Sequence, residues 1–77
     1  VTEADHPVDW AMTRENMAIA ELSLAEHATC ADPRPHLEAG LAHVAAALTV
    51  FDSDNMAFNH DKAVRLRDDI RERLGRL

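Results

Sequence analysis

The spacing of large apolar residues in the middle of the chain constrains the fold most. They recur at intervals of 4, 3, 4 and 3 positions, at Leu37, Leu41, Val44, Leu48 and Phe51. Because an α-helix completes a turn every 3.6 residues, this spacing places all five on one helical face. Pro33 and Pro35 punctuate the chain just before it. The pattern therefore predicts a helix over residues 36–51 with one face in the core.

A first helix is predicted over residues 9–28, because Pro7 and Asp9 suit a helix start. Its large apolar residues form two stripes, with alanines at positions 11, 18 and 25 between them. One stripe is Trp10, Met17, Leu24 and Ala28, and the other is Met12, Ile19 and Leu22. An ordinary surface helix has one apolar stripe. We therefore expect this helix to be covered on two sides.

A third helix is predicted over residues 54–74, and the segment Asp52-Ser53-Asp54-Asn55 is expected to connect and cap it. Its inward residues are expected to be Met56, Ala63, Leu66, Ile70, Leu74 and Leu77. Oppositely charged residues four positions apart on the other face predict the ion pairs Asp61–Arg65, Asp69–Arg73 and Glu72–Arg76. This helix is apolar on one side, as expected of a cap.

Length and composition favour one small all-α domain over residues 9–77, preceded by a linker or the end of another segment at residues 1–8. The 77 residues include 14 alanines and are 4% aromatic, which disfavours a sheet. The expected architecture is an antiparallel helical hairpin followed by a third, C-terminal amphipathic capping helix. A chain this short buries only a small core of its own.

Charge and residue usage narrow the classes of partner. The net charge of −6 gives no electrostatic drive toward a phosphate backbone, so we expect no nucleic-acid partner. No apolar run is long enough for a membrane span, and none is expected. The lone Cys30 rules out an intrachain disulfide and agrees with a cytoplasmic location. Arginine outnumbers lysine seven to one, which suggests a GC-rich bacterial source.

Short motifs in the first two predicted helices resemble a known repeat family. The run Asn16-Met17-Ala18-Ile19-Ala20 looks like the N-L-G-x-A core of the first helix of a tetratricopeptide repeat, and residues 7–13 resemble the opening of bacterial repeats. Gly40, Val44, Ala47 and Leu48 resemble the pattern of its second helix. Arg14 and Glu21 depart from the family, which has aromatic residues there. The resemblance covers about residues 7–52 and identifies the chain as similar to a degenerate C-terminal repeat followed by a capping helix.

The resemblance implies a noncatalytic module that mediates protein–protein interaction, either a fragment of a longer repeat protein or a self-associating unit. In this family one arc of the first helix lines the concave groove that holds a protein or peptide partner. The corresponding residues here are Met12, Glu15, Ile19, Leu22 and Ser23. The other interpretation is that Met12, Ile19 and Leu22 pack on a preceding repeat or on the third helix.

Titratable residues supply an alternative, a small metal- or ligand-binding helical bundle. His27, Cys30 and His36 form H-x2-C-x5-H across the proline loop, but paired metal-ligand spacings are missing, so they are weak candidates and no cofactor is expected. His60 and Asp61 follow Asp52 and Asp54, which is more typical of a helix start than of an acid–base cluster. Neither a phosphate-binding glycine loop nor a nucleophile motif occurs, so the sequence does not predict an enzyme.

Overall fold

Three α-helices make up the fold. A computed structural model describes residues 5–27, 29–54 and 56–77 and contains α1 (Pro7–Glu26), α2 (Arg34–Leu48) and α3 (Ala57–Gly75). No strand occurs within these residues. The predicted all-α class, a helical hairpin followed by a third helix, is confirmed.

The first two helices have a proline in their first turn and begin two residues before their predicted starts. Pro7 opens α1 and Pro35 lies in the first turn of α2. A proline suits this place because the first turn has no use for its missing N–H and its fixed φ is already helical. Pro7 and Val8 therefore belong to α1 rather than to a linker. Residues 1–4 of that linker, and Ala28 at the predicted end of the first helix, lie outside the described residues.

The expected caps of α1 and α3 are wrong. Asp9 lies inside the first turn of α1, and α3 begins at Ala57 rather than at residue 54. The side chain of Asp52 accepts a hydrogen bond from the backbone N–H of Asp54 (2.8 Å), and its carbonyl accepts one from Met56 (2.7 Å). Through these bonds the acidic segment forms the turn that precedes α3. Asn55, the last residue of the predicted cap, is outside the described part of the chain.

Cross-helix contacts fix the directions of the helices. Arg14 contacts His43 and Glu21 contacts His36, so a later residue of α1 lies beside an earlier residue of α2. The two helices form an antiparallel hairpin. On the other side of α1, Lys62 pairs with Glu15 and Arg73 pairs with Glu26, and both pairs join residues 47 positions apart. Since this offset is constant, α3 runs parallel to α1.

The predicted core stripe of α2 is at the centre of the fold. Leu37, Val44 and Phe51 are buried, and Leu41 and Leu48 are half-buried against the core. Helix α2 ends at Leu48, and the amides of Val50 and Phe51 then bond the carbonyl of Ala47, which keeps Phe51 in the core.

Helix α3 packs as predicted through Ala63 and Ile70, which are fully buried, with Met56, Leu66 and Leu74 packed around them. Leu77 was expected to point inward and instead is 52% exposed. The helix ends at Gly75, so the last residue no longer follows the helical face.

Helix α1 packs most closely through its alanines, and of its large apolar stripes Trp10 and Leu22 are half-buried against the core. Ala11 and Ala18 are fully buried, whereas Met17 and Leu24 of the first predicted stripe are exposed. Gly40 of α2 explains this choice: a methyl group at Gly40 would lie 3.4 Å from the carbonyl oxygen of Ala18 and 3.3 Å from Cδ1 of Ile70. Small residues let the helix backbones approach closely, and this close approach places the alanine row inside.

Candidate functional site

The exposed side of α1 carries no charge between Met12 and Leu24. The exposed residues of this stretch, called here the outer face of α1, are Met12, Thr13, Asn16, Met17, Ile19, Ala20, Ser23 and Leu24. Four of the eight are large and apolar, and their exposed fractions run from 39% at Ile19 to 48% at Met12 and Leu24. Of the seven exposed large hydrophobic residues in the described chain, five lie on α1. Large apolar side chains exposed together on one helix are typical of an interaction site.

The charged residues of the same stretch point toward the neighbouring helices. The guanidinium of Arg14 donates a hydrogen bond to Nδ1 of His43 (3.1 Å) and lies 5.3 Å from the centre of the Trp10 ring. The carboxylate of Glu21 lies 2.7 Å from Nδ1 of His36. Both contacts lie between α1 and α2. They hold the hairpin in register and direct the charged groups of Arg14 and Glu21 away from the outer face.

Glu15 joins α1 to α3 from a buried position. Its residue is 5% exposed, and Oε1 lies 3.0 Å from Nζ of Lys62, which is 52% exposed. The second carboxylate oxygen, Oε2, is buried and has no hydrogen-bond partner among the described residues. An ionised carboxylate in such a place depends on its one cation, because unpaired buried charge is costly. We therefore assign Glu15 a structural part.

The five residues predicted to line a partner groove divide into two groups. Met12, Ile19 and Ser23 are exposed and belong to the outer face of α1. Leu22 is half-buried and packs against the core, and Glu15 is buried beside Lys62. The expectation that the first helix is covered on two sides is not met within the described chain, since α2 and α3 cover the alanine side and leave Met12 and Ile19 open.

The weak metal candidates do lie near one another. His27, Cys30 and His36 line one shallow pocket together with Leu24 and Thr29. Nδ1 of His27 is 2.8 Å from the hydroxyl of Thr29, and Nδ1 of His36 is engaged by Glu21. Within the described ranges, no group of three or more His, Cys, Asp or Glu residues is placed to hold a metal ion.

The start of α3 shows no acid–base cluster either. Nδ1 of His60 lies 3.5 Å from Oδ1 of its neighbour Asp61. The predicted pair Asp61–Arg65 is absent from the ion pairs of the described residues, whereas Asp69–Arg73 (3.1 Å) and Glu72–Arg76 are formed as predicted.

Five members of the outer face of α1 were missed by sequence reasoning: Thr13, Asn16, Met17, Ala20 and Leu24. The sequence contains a signal that could have found them. Positions 12, 13, 16, 17, 19, 20, 23 and 24 share half of the helix circumference, and none is charged. In a chain that is 29% charged, an uncharged half-circumference on the first helix distinguishes this surface from an ordinary charged helix face.

Comparison with protein-family models, with curated proteins and with solved structures found no match to this chain. None of the three described helices has both the length and the apolar character needed to cross a bilayer.

Proposed function

We propose that this chain is a noncatalytic helical module that mediates protein–protein interaction through the outer face of α1. The observation that carries the proposal is the exposure of Met12, Met17, Ile19 and Leu24 on a helical face without charge. Interface cores are depleted in charge, and methionine is enriched there because its flexible side chain adapts to different partners.

The packing of the hairpin supports a tetratricopeptide-like module. Ala18 and Gly40 are small residues on which the resemblance rests, and the carbonyl oxygen of Ala18 would lie 3.4 Å from a Cβ at Gly40, so α1 and α2 are close there. Arg14 and Glu21 stand where the family has aromatic residues, and they bridge to His43 and His36 instead. The resemblance is thus compatible with a hairpin in which polar contacts replace aromatic packing.

In a repeat array each hairpin covers an apolar face of the next, so the outer face of α1 would lie against another helical segment. That segment belongs either to a neighbouring repeat or to a separate protein. A reducing compartment such as the bacterial cytoplasm agrees with the single thiol of Cys30.

A photo-crosslinking amino acid tests this proposal in the intact gene product. We expect the crosslinker at Ser23, on the outer face of α1, to capture a polypeptide segment that is apolar and helical when mapped by mass spectrometry. The matched control is Asp68, an exposed residue of α3, which should capture little. Equal capture at the two positions, or no polypeptide captured at Ser23, would contradict the proposal.

A further inference from the structure

We propose that the hydrogen bond between Arg14 and His43 makes the hairpin of α1 and α2 sensitive to pH. The bond forms while His43 is neutral and is lost when its ring takes a second proton. The inference is carried by the two atoms that meet: Nη1 of Arg14 lies 3.1 Å from Nδ1 of His43. Both side chains are half-buried where the two helices face each other.

The chemistry of the two groups determines which one donates. A guanidinium stays protonated in proteins and has N–H donors but no acceptor. The ring nitrogen that faces Arg14 must therefore accept, with a lone pair and no proton. A neutral imidazole has one such nitrogen, whereas an imidazolium has none. His43 can thus bond Arg14 only as a neutral ring with its proton on Nε2, and a second proton on Nδ1 would place two cations 3.1 Å apart.

The other charged groups of the neighbouring helices do not offset this repulsion. On α1, Glu15 is paired with Lys62 of α3, and Glu21 is paired with His36. On α2, every other residue within one turn of His43 is uncharged. The residues of α3 that pack into the core are uncharged as well: Met56, Ala63, Leu66, Ile70 and Leu74. Among the described contacts, no carboxylate is bonded to the ring of His43.

A second histidine between the same two helices responds in the opposite direction. Nδ1 of His36 lies 2.7 Å from a carboxylate oxygen of Glu21, about two helical turns from the contact of Arg14 with His43. A second proton on His36 turns this hydrogen bond into an ion pair, which is stronger. Acidification therefore weakens the hairpin at His43 and strengthens it at His36. Histidine charges in the range of about pH 5–8, so mild acidification is sufficient.

The released guanidinium lies at the edge of the outer face of α1. Arg14 is four positions after Trp10 and three before Met17, so the three side chains are neighbours on the helix surface. The guanidinium is already 5.3 Å from the centre of the Trp10 ring. When it moves away from His43, it brings its charge toward Met17 and makes desolvation of the face less favourable. This consequence rests on the proposed function: a partner on the outer face should bind less tightly below about pH 6.

Nitrogen NMR of the histidine rings tests the contact in the unmodified chain. At about pH 8 we expect His43 to carry its one proton on Nε2, because Nδ1 accepts the bond from Arg14. A proton on Nδ1 of His43 under these conditions would overturn the inference.

Trp10 provides a second readout, because it is the only tryptophan of the chain and lies beside the guanidinium. Its fluorescence should change as the pH is lowered through about 6.5. His43→Gln should abolish this change, since an amide oxygen can accept the bond from Arg14 at every pH. His60→Gln is the matched control: His60 is half-buried on α3 beside Asp61, and its replacement should leave the change intact. The same fluorescence titration in His43→Gln as in the wild type would contradict the proposal.

Urea denaturation gives the sign of each contact. The quantity compared is the ratio of the unfolding constants at about pH 5.5 and pH 7.5. This ratio should be about threefold higher in the wild type than in His43→Gln, and about twofold higher in His36→Gln than in the wild type. Arg14→Met removes the guanidinium, so His43→Gln should leave the ratio unchanged in that background. An undiminished effect of His43→Gln there would show that Arg14 is not its source, and the inference would fail.

Photo-crosslinking at Ser23 separates this inference from the proposed function. Capture at about pH 7.5 tests the proposed function, and weaker capture at about pH 5.5 tests the effect of His43. His43→Gln should preserve capture at both values. Equal capture by the wild type at both values overturns the effect on docking and leaves the proposed function standing. If Ser23 captures nothing at either value, the proposed function fails, and the NMR, fluorescence and urea measurements still decide whether the hairpin responds to pH.

Discussion

Helices α1 and α3 run parallel beside each other, and their exposed sides are opposite in character. Between residues 61 and 72 every exposed residue of α3 is charged: Asp61, Lys62, Arg65, Asp68, Arg71 and Glu72. Between residues 12 and 24 every exposed residue of α1 is uncharged. Charged side chains keep a helix surface hydrated, and α3 has them where α1 does not. The difference indicates that the exposed side of α3 is adapted to water, whereas the outer face of α1 lacks the charges that would hydrate it.

The two isoleucines of the chain give the sharpest form of this comparison, one on each helix. Ile70→Ala in α3 should lower the free energy of unfolding by about 3 kcal/mol, because the side chain is fully buried and leaves a cavity. Ile19→Ala in α1 should lower it by less than about 1 kcal/mol, since Ile19 is 39% exposed. Urea denaturation at low protein concentration measures both. Equal losses would mean that the outer face of α1 is already buried in the isolated chain.

The two glycines allow the packed contact between α1 and α2, at Gly40, to be compared with the open end of α3, at Gly75. Gly40→Leu should cost about 2 kcal/mol, because a side chain there meets Ile70 and the backbone oxygen of Ala18 at the crossing of α1 and α2. Gly75→Leu is the control, since nothing lies within 4 Å of its added Cβ. Comparable midpoints for the two variants in urea would show that α1 is not held through its alanine row.

The ion pair between α1 and α3 tests how the charge of α1 is stabilised. Lys62→Ala should destabilise the fold by about 1–2 kcal/mol, because the buried Glu15 carboxylate loses its partner. Arg65→Ala, an exposed neighbour outside the described ion pairs, is the control and should change little. Adding Glu15→Leu to Lys62→Ala should recover much of the loss, because an apolar pair avoids buried charge. If Lys62→Ala costs no more than Arg65→Ala, Glu15 does not depend on its ion pair.

The periodicity of the sequence was sufficient to predict α2 and most of α3. Val44 and Ile70 are large, recur with helical spacing and lie inside as expected. The inner side of α1 could not be found in the same way. Reading large apolar residues as core gives the stripes containing Met17 and Met12, but close approach to Gly40 selects small residues, and this depends on how the helices cross.

Part of the candidate site could also be predicted. Met12 and Ile19 were identified as a second apolar stripe, and they are exposed together. The burial of Glu15 could not be predicted, because its partner Lys62 lies 47 positions away in the sequence. Such a pairing requires the register of α1 on α3, which local patterns do not contain.

The smallest effects on stability are expected on the charged side of α3, where two arginines differ in the number of carboxylates that they contact. Arg73 is 39% exposed and contacts both Glu26 of α1 (2.8 Å) and Asp69 (3.1 Å), whereas Arg76 is 73% exposed and contacts Glu72. Arg73→Ala should cost about 0.5–1 kcal/mol and Arg76→Ala about 0.3 kcal/mol or less, and salt should reduce both. Denaturation at low and high salt measures the difference. A larger loss of stability for Arg76→Ala would mean that the ion pair Glu72–Arg76, within the last turns of α3, contributes more than the contacts of Arg73. The contact between Arg73 and Glu26 would then contribute nothing to the packing of α3 against α1.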